Sequence, residues 1–203
     1  MLLRLPLPLT KGNFLMTLPL TLRLLRPLQQ FFATLLFVVV CYSPALGDIP
    51  KSAEAARVIQ VIDGDTIIVE LQKRREHLRL IGIDTPETRP NHRAELQAHD
   101  RHMDQKTIFQ LGNRASNYTR ELLPKNSTVF LEFDVDKRDR YQRLLAYVWV
   151  RPANASTGLM ANEALLKAGY AYLLTVPPNV KYRRRLADAF AEGRREKRGL
   201  WQR

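Results

Sequence analysis

The stretch Val58-Ile59-Gln60-Val61-Ile62-Asp63-Gly64-Asp65-Thr66-Ile67-Ile68-Val69-Glu70-Leu71 decides the fold. Two runs rich in Val and Ile flank Asp63-Gly64, and β-branched side chains suit the pleated surface of a sheet while Asp-Gly suits a tight turn. The strands read as Val58 to Ile62 and Thr66 to Leu71, and a third, His77 to Ile83, follows a turn at Lys73-Arg74-Arg75. A meander of three antiparallel strands is the natural reading. Outward from it, Thr128–Phe133 and Leu144–Val150 read as two further strands. Ile108, Leu111, Ala115, Tyr118 and Leu122 step by three and four until Pro124, the period of an amphipathic helix. Leu159 to Lys167 reads as a second helix closed by Gly169, and Asn179 to Arg198 as a third that stops at Gly199. The polar segment from Thr88 to Gln105, with His92, His99 and His102, reads as a long exposed loop, and residues 48–56 as a short linker ahead of a domain over 57–203. The predicted fold class is α+β: five strands closing as an OB-type Greek-key β-barrel with about three α-helices.

Charge narrows the partners. The chain has 203 residues, with 32 Lys and Arg against 20 Asp and Glu. Such a surplus favours a polyanion, either nucleic acid or an anionic membrane surface. The first 47 residues carry Arg4, Lys11, Arg23 and Arg26 and no acid, then an apolar block from Phe31 to Tyr42, then small residues at Ala45 and Gly47. This is the order of a secretory signal. The block spans about 12 residues where a membrane-crossing helix needs about 20. Residues 1–47 are therefore expected to be cleaved after Gly47, sending the protein outside the cell or into the periplasm. An uncleaved anchor at 31–42 is the alternative. Removing the leader leaves 28 basic residues against 20 acidic, a surplus of +8, so the positive charge belongs to the folded part as well. It also removes Cys41, the only cysteine.

Four segments concentrate charge where core strands should end: Val61 to Thr66, Arg79 to Thr88, Asp139 to Tyr147, and Asn162 to Leu165. Asp65 and Asp84 each stand at the edge of an apolar strand, where an acid is disfavoured unless paired or ligating. Two carboxylates brought together imply a cation between them, and oxygen donors without Cys or His point to Ca²⁺ or Mg²⁺. Pro86 forces Thr85 to be extended, so the Thr85 carbonyl could face the same cation. Arg79 and Arg143 lie on or beside strands of the same core. Each needs an anion there, either a neighbouring carboxylate or a phosphate gripped by the guanidinium fork. Together a dication, two guanidiniums and the Glu87 carboxylate supply what phosphodiester hydrolysis requires.

In order and approximate spacing, Val61-Ile62-Asp63-Gly64-Asp65-Thr66, Arg79-Leu80-Ile81-Gly82-Ile83-Asp84-Thr85-Pro86-Glu87-Thr88, Asp139-Arg140-Tyr141-Gln142-Arg143-Leu144-Leu145-Ala146-Tyr147 and Asn162-Glu163-Ala164-Leu165 are similar to the staphylococcal nuclease family. The resemblance covers about Arg57 to Trp201. It implies that Asp65, Asp84 and the Thr85 carbonyl bind calcium, with Asp63 an outer carboxylate near the metal. It implies that Glu87 is the general base or water-orienting group and that Arg79 and Arg143 clamp the scissile phosphate. Arg140 and Tyr141 would line the nucleotide phosphate pocket. The implied activity is calcium-dependent endonucleolytic hydrolysis of single- and double-stranded DNA and RNA, breaking the bond from phosphorus to the 5′-oxygen and leaving 3′-phosphate ends. A monomer with no obligate protein partner is expected. Three features depart from the family. The stretch Tyr172 to Pro178 lacks its two pocket tyrosines, Gln142 stands where glycine is common, and the segment from Arg89 to Gln105 is longer.

Overall fold

A computed structural model describes residues 48–153 and 155–202, so the leader expected at 1–47 lies outside the described residues. In chain order the elements are β1 (Glu54–Val61), β2 (Thr66–Leu71), β3 (Arg74–Leu80), β4 (Ile83–Asp84), α1 (His92–Asp100), α2 (Gln105–Leu122), β5 (Thr128–Glu132), β6 (Leu144–Val150), β7 (Leu159–Met160), α3 (Ala161–Lys167), β8 (Tyr172–Leu173), α4 (Arg183–Arg195) and a 3₁₀ turn at Gly199–Trp201. The sheet runs β3-β2-β1-β5-β6, and a parallel pairing of β3 with β6 closes it into a five-stranded barrel. The α+β barrel read from the sequence is therefore the fold.

Alternate residues of each strand share one face, and these carry the core. Val58, Ile67, Val69, Leu78, Leu80, Val129, Leu131, Ala146 and Val148 are all buried. Each such side chain contributes about 1.5–3 kcal/mol on burial. On β6 the intervening Tyr147 and Trp149 are buried as well, against Tyr182 ahead of α4. That second packed face explains why Leu144 to Val150 is apolar throughout and does not alternate.

Several boundaries differ from the sequence reading, and β3 is the first, since it runs from Arg74 to Leu80 and not from His77 to Ile83, with Arg74 and Arg75 paired to Leu71 and Glu70 where a turn is expected. The segment 48–56 is not wholly a linker. Strand β1 begins at Glu54, and Glu54 to Arg57 pair with Leu131 to Thr128 of β5. Glu54-Ala55-Ala56 has little strand propensity of its own, so barrel closure imposes the conformation. The segment from Thr88 to Gln105 contains helix α1, one helix more than periodicity revealed. Asn91 caps it by accepting from the Ala94 amide at 2.7 Å, but only Ala94 and Gln97 face inward, so no apolar stripe betrays it. The last helix starts at Arg183 rather than Asn179. Asn179 is instead spent on the loop after β5, exchanging hydrogen bonds with the Asp136 amide (2.8 Å) and carbonyl (2.9 Å).

Candidate active site

Sheet register brings the first pair of residues together. Thr66 of β2 lies opposite Arg79 of β3, and the Leu80 amide donates to the Asp65 carbonyl at 2.9 Å. The side chains of Asp65 and Arg79 consequently meet as a buried ion pair. The remaining lone pairs of Asp65 are also used. Its Oδ2 accepts from the Thr85 amide at 2.7 Å and the Thr85 hydroxyl at 2.9 Å, and its Oδ1 from the Thr66 hydroxyl at 3.2 Å. Gly64 permits this approach. A Cβ there would stand 2.7 Å from Thr85 Cγ2 and 2.9 Å from Ala115 Cβ.

The same guanidinium joins the second acid. Arg79 Nη2 reaches Asp84 Oδ1 at 3.1 Å and the Ile83 carbonyl at 3.2 Å. Asp84 is held in place by its pairing with Tyr172 of β8. Burial lowers the pKa of Arg79 from its ordinary value, and Asp84 and Asp63 oppose that shift. Asp63 closes the β1–β2 turn by accepting from the Asp65 amide at 3.1 Å. Burial pushes its carboxyl upward, against the lowering influence of Arg79 and Arg143.

Glu87 follows three residues after Asp84. Its amide donates to Gln97 Oε1 at 2.9 Å, and its carboxylate receives Asn91 Nδ2 at 3.0 Å and Arg93 Nε at 3.1 Å. Helix α2 supports the backbone from beneath. A Cβ on Gly112 would come within 2.3 Å of the Glu87 carbonyl oxygen, so only glycine lets the helix lie this close.

Arg143 arrives on a different hairpin. Asp139 Oδ1 accepts from the Tyr141 and Arg143 amides, both at 2.9 Å, and Oδ2 from Arg143 Nε at 2.7 Å. Burial pushes the Asp139 carboxyl up, but these bonds outweigh it and hold the group below the ordinary carboxylate value. Arg140 donates to the Tyr141 hydroxyl at 2.7 Å and lies 4.8 Å from its ring centre. Because Leu78 pairs with Leu144 and Arg79 with Leu145, Arg143 enters one step from the strand that carries Arg79. Arg79, Arg93, Arg140, Tyr141 and Arg143 line one groove of about 560 Å³, and Leu174, Val176, Pro177 and Pro178 form its apolar wall.

The structure thus divides the sequence-predicted residues into two sets. Arg79, Arg143, Arg140 and Tyr141 face the groove, and Asp65, Asp84, Thr85 and Glu87 cluster around Arg79 and α1, with Asp63 in the turn that leads to Asp65. Five further residues touch the cluster without having been assigned a role: Asn91, Arg93, Gln97, Arg101 and Asp139. Arg93, Gln97 and Arg101 recur every four residues, which places them on one helical face and was a legible signal. Asp139 stands four residues before Arg143 at the start of a turn, a position where a short acid captures the following amides.

The acidic cluster suits a hard cation by its donor chemistry. The carboxylates of Asp65, Asp84 and Glu87 and the Thr85 carbonyl are oxygens only. The guanidinium of Arg93 bridges Asp84 and Glu87, so a positive charge is already drawn between them. Among the described residues no three acids, histidines or cysteines meet directly as a ready metal cluster, because guanidiniums separate the carboxylates. The Thr85 carbonyl accepts from Gln97 Nε2 at 3.1 Å.

Comparison with known proteins agrees with this geometry. The profile of the staphylococcal nuclease homologue family matches residues 77–203. The chain is 38% identical to a thermonuclease of Staphylococcus hyicus over 146 residues, covering 71% of this chain and 74% of that protein. It is 37% identical to a thermonuclease of Staphylococcus intermedius over 174 residues, 82% of this chain and 91% of that protein. It is 33% identical to endonuclease YncB of Bacillus subtilis over 160 residues, 75% of this chain and 66% of that protein. A barrel with this strand order, its charged groove and matches of this length place the chain in the staphylococcal nuclease homologue family.

Proposed function

We propose that this protein is a calcium-dependent endonuclease that hydrolyses DNA and RNA, breaking the bond from phosphorus to the 5′-oxygen and leaving 3′-phosphate ends. The observation that carries the reading is the convergence of Arg79 and Arg143 on one groove, with the carboxylates of Asp65, Asp84 and Glu87 gathered around Arg79 and Arg93. Relatives named thermonuclease and endonuclease support a hydrolase acting on phosphodiester bonds. A binding module without catalysis has no use for an acid cluster of this kind behind the Arg79 and Arg93 of its groove.

Arg79 and Arg143 grip the non-bridging oxygens of one phosphate with their planar forks. Phosphorus gains negative charge as water attacks, and both guanidiniums stabilise that gain more than they stabilise the bound substrate. Glu87 accepts or orients the proton of the attacking water, in line with the departing 5′-oxygen. Asp65, Asp84 and the Thr85 carbonyl would hold calcium, which supplies neutralisation of a phosphate oxygen. Arg140 and Tyr141 flank the groove and bind the neighbouring nucleotide. The leader at 1–47 extends the proposal to an exported enzyme.

The test is incubation of the full chain with single-stranded DNA and RNA, in calcium and in excess chelator, followed by analysis of the ends. Cleavage is expected in calcium alone, and new 3′ ends should accept a polymerase only after phosphatase treatment. Cleavage in excess chelator removes the metal from the mechanism, and ends that extend at once overturn the bond assignment. Glu87→Gln should lower the rate by about two orders of magnitude with the fold intact.

A further inference from the structure

Helix α1 puts a third guanidinium into the groove, and it is held differently from the other two. Arg93 pairs with Asp84 and with Glu87, and it lines the groove beside Arg79 and Arg143. Asp84 is crowded, for Arg79 reaches it at 3.1 Å and Arg101 at 3.2 Å as well. The three cations differ in how easily they leave. The Arg79 side chain is 9% exposed on a barrel strand, and that of Arg101 is 17% exposed and stacked 3.8 Å from the centre of the Tyr172 ring. The Arg93 side chain is 47% exposed. Arg93 is thus the solvent-facing partner of two largely shielded acids, whose side chains are 14% and 20% exposed, and of the three cations it has the freest path away from Asp84. Rotation about its flexible stem carries the fork off the two acids and into the open groove. No other residue of α1 lines that groove.

We propose that Arg93 is a substrate-binding residue. With the groove empty it is parked on Asp84 and Glu87, and on binding of a strand it moves to the phosphate next to the one gripped by Arg79 and Arg143. This rests on the nuclease reading. Parking keeps positive charge on two acids that would otherwise repel each other. Transfer to a phosphate takes one cation from each acid when the substrate arrives, leaving Asp84 with Arg79 and Arg101 and Glu87 with Asn91.

Binding of a short fluorescein-labelled single-stranded DNA, followed by anisotropy in chelator across a series of KCl concentrations, tests the transfer without cleavage. Arg93→Ala in the full chain should weaken binding about tenfold, the scale of one hydrogen-bonded charge pair. The slope of log affinity against log salt should become shallower by about 0.7, the increment for one lost phosphate contact on a single strand. Arg93→Lys should keep the slope and recover only part of the affinity, because the charge remains and the fork is lost. It also serves as the second variant should the alanine change alter the melting curve. Terbium luminescence tests the parking, and removal of the competing guanidinium should tighten terbium binding several-fold. An alanine variant with the affinity and slope of the parent overturns the proposal, as does unchanged terbium binding. If the unaltered chain binds DNA and the variant matches it, Arg93 alone loses its role. If the unaltered chain has no affinity for DNA, the nuclease reading falls with it.

Discussion

The two arginines at the heart of the groove are built in opposite ways. Arg79 sits next to the end of β3 with a side chain 9% exposed, and it ties Asp65, Asp84 and the Ile83 carbonyl together. Arg143 sits at the mouth of a hairpin with a side chain 28% exposed, and among the described residues its one carboxylate partner is Asp139. The first is part of the frame, because removing it leaves the buried Asp65 without its counter-charge. The second is a tool mounted on the frame, aimed by a single neighbour. One guanidinium thus couples chemistry to stability, while the other leaves them separable.

Substitutions can break or sharpen that contrast. The largest effect belongs to Arg79→Ala, which should cost about 3–5 kcal/mol of stability, the scale for breaking a buried ion pair, as well as activity. Urea unfolding measures it, and a midpoint equal to that of the parent would erase the distinction. Arg143→Ala should lower the cleavage rate by about two to three orders of magnitude, equivalent to a lost transition-state donor at about 3–4 kcal/mol. Its unfolding midpoint should stay close to the parent's. Asp139→Asn keeps an acceptor for the amides of the turn but gives up the charged grip on Arg143. Single-turnover kinetics should show a loss of about tenfold, and no loss would mean that Arg143 is aimed by something else. The smallest effect is expected at the turn itself. Gln142 has φ of +63°, a conformation that costs a side-chain-bearing residue about 1–2 kcal/mol. Gln142→Gly should therefore stabilise the hairpin, by up to about 1 kcal/mol in thermal unfolding once the entropy of glycine is counted.

How much could be read without coordinates followed from how each region earns its shape. Val58 to Leu71 and Leu144 to Val150 carry their conformation in their own β-branched and aromatic composition, so they were legible. Glu54 to Ala56 become strand only because β5 is there to pair with them. Helix α1 buries nothing but Ala94 and Gln97, too little for a periodic signal. At the site, the acids and arginines stood out because they interrupt apolar strands. Their partners did not stand out. Sequence alone could not say whether Asp84 meets Arg79, Arg93 or Arg101, and it meets all three. The Thr85 carbonyl was read as a cation ligand, and here it faces Gln97, a residue on a helix that the sequence reading did not contain.

The parallel seam between β3 and β6 acts as a gauge. Leu78 faces Leu144 and Arg79 faces Leu145, so the spacing of Arg79 from Arg143, one residue ahead of the ladder, is tied to the strand repeat of about 4.8 Å, and the proposed phosphate would have to fit it. The turn from Asp139 to Arg143, between β5 and β6, hangs from the end of that seam and shares its constraint. A one-residue slip of β6 would shift that spacing and turn every side chain of the strand to the opposite face. Variation among related enzymes should therefore collect in connections that carry no groove residue, while the seam and the turn beside it admit almost none.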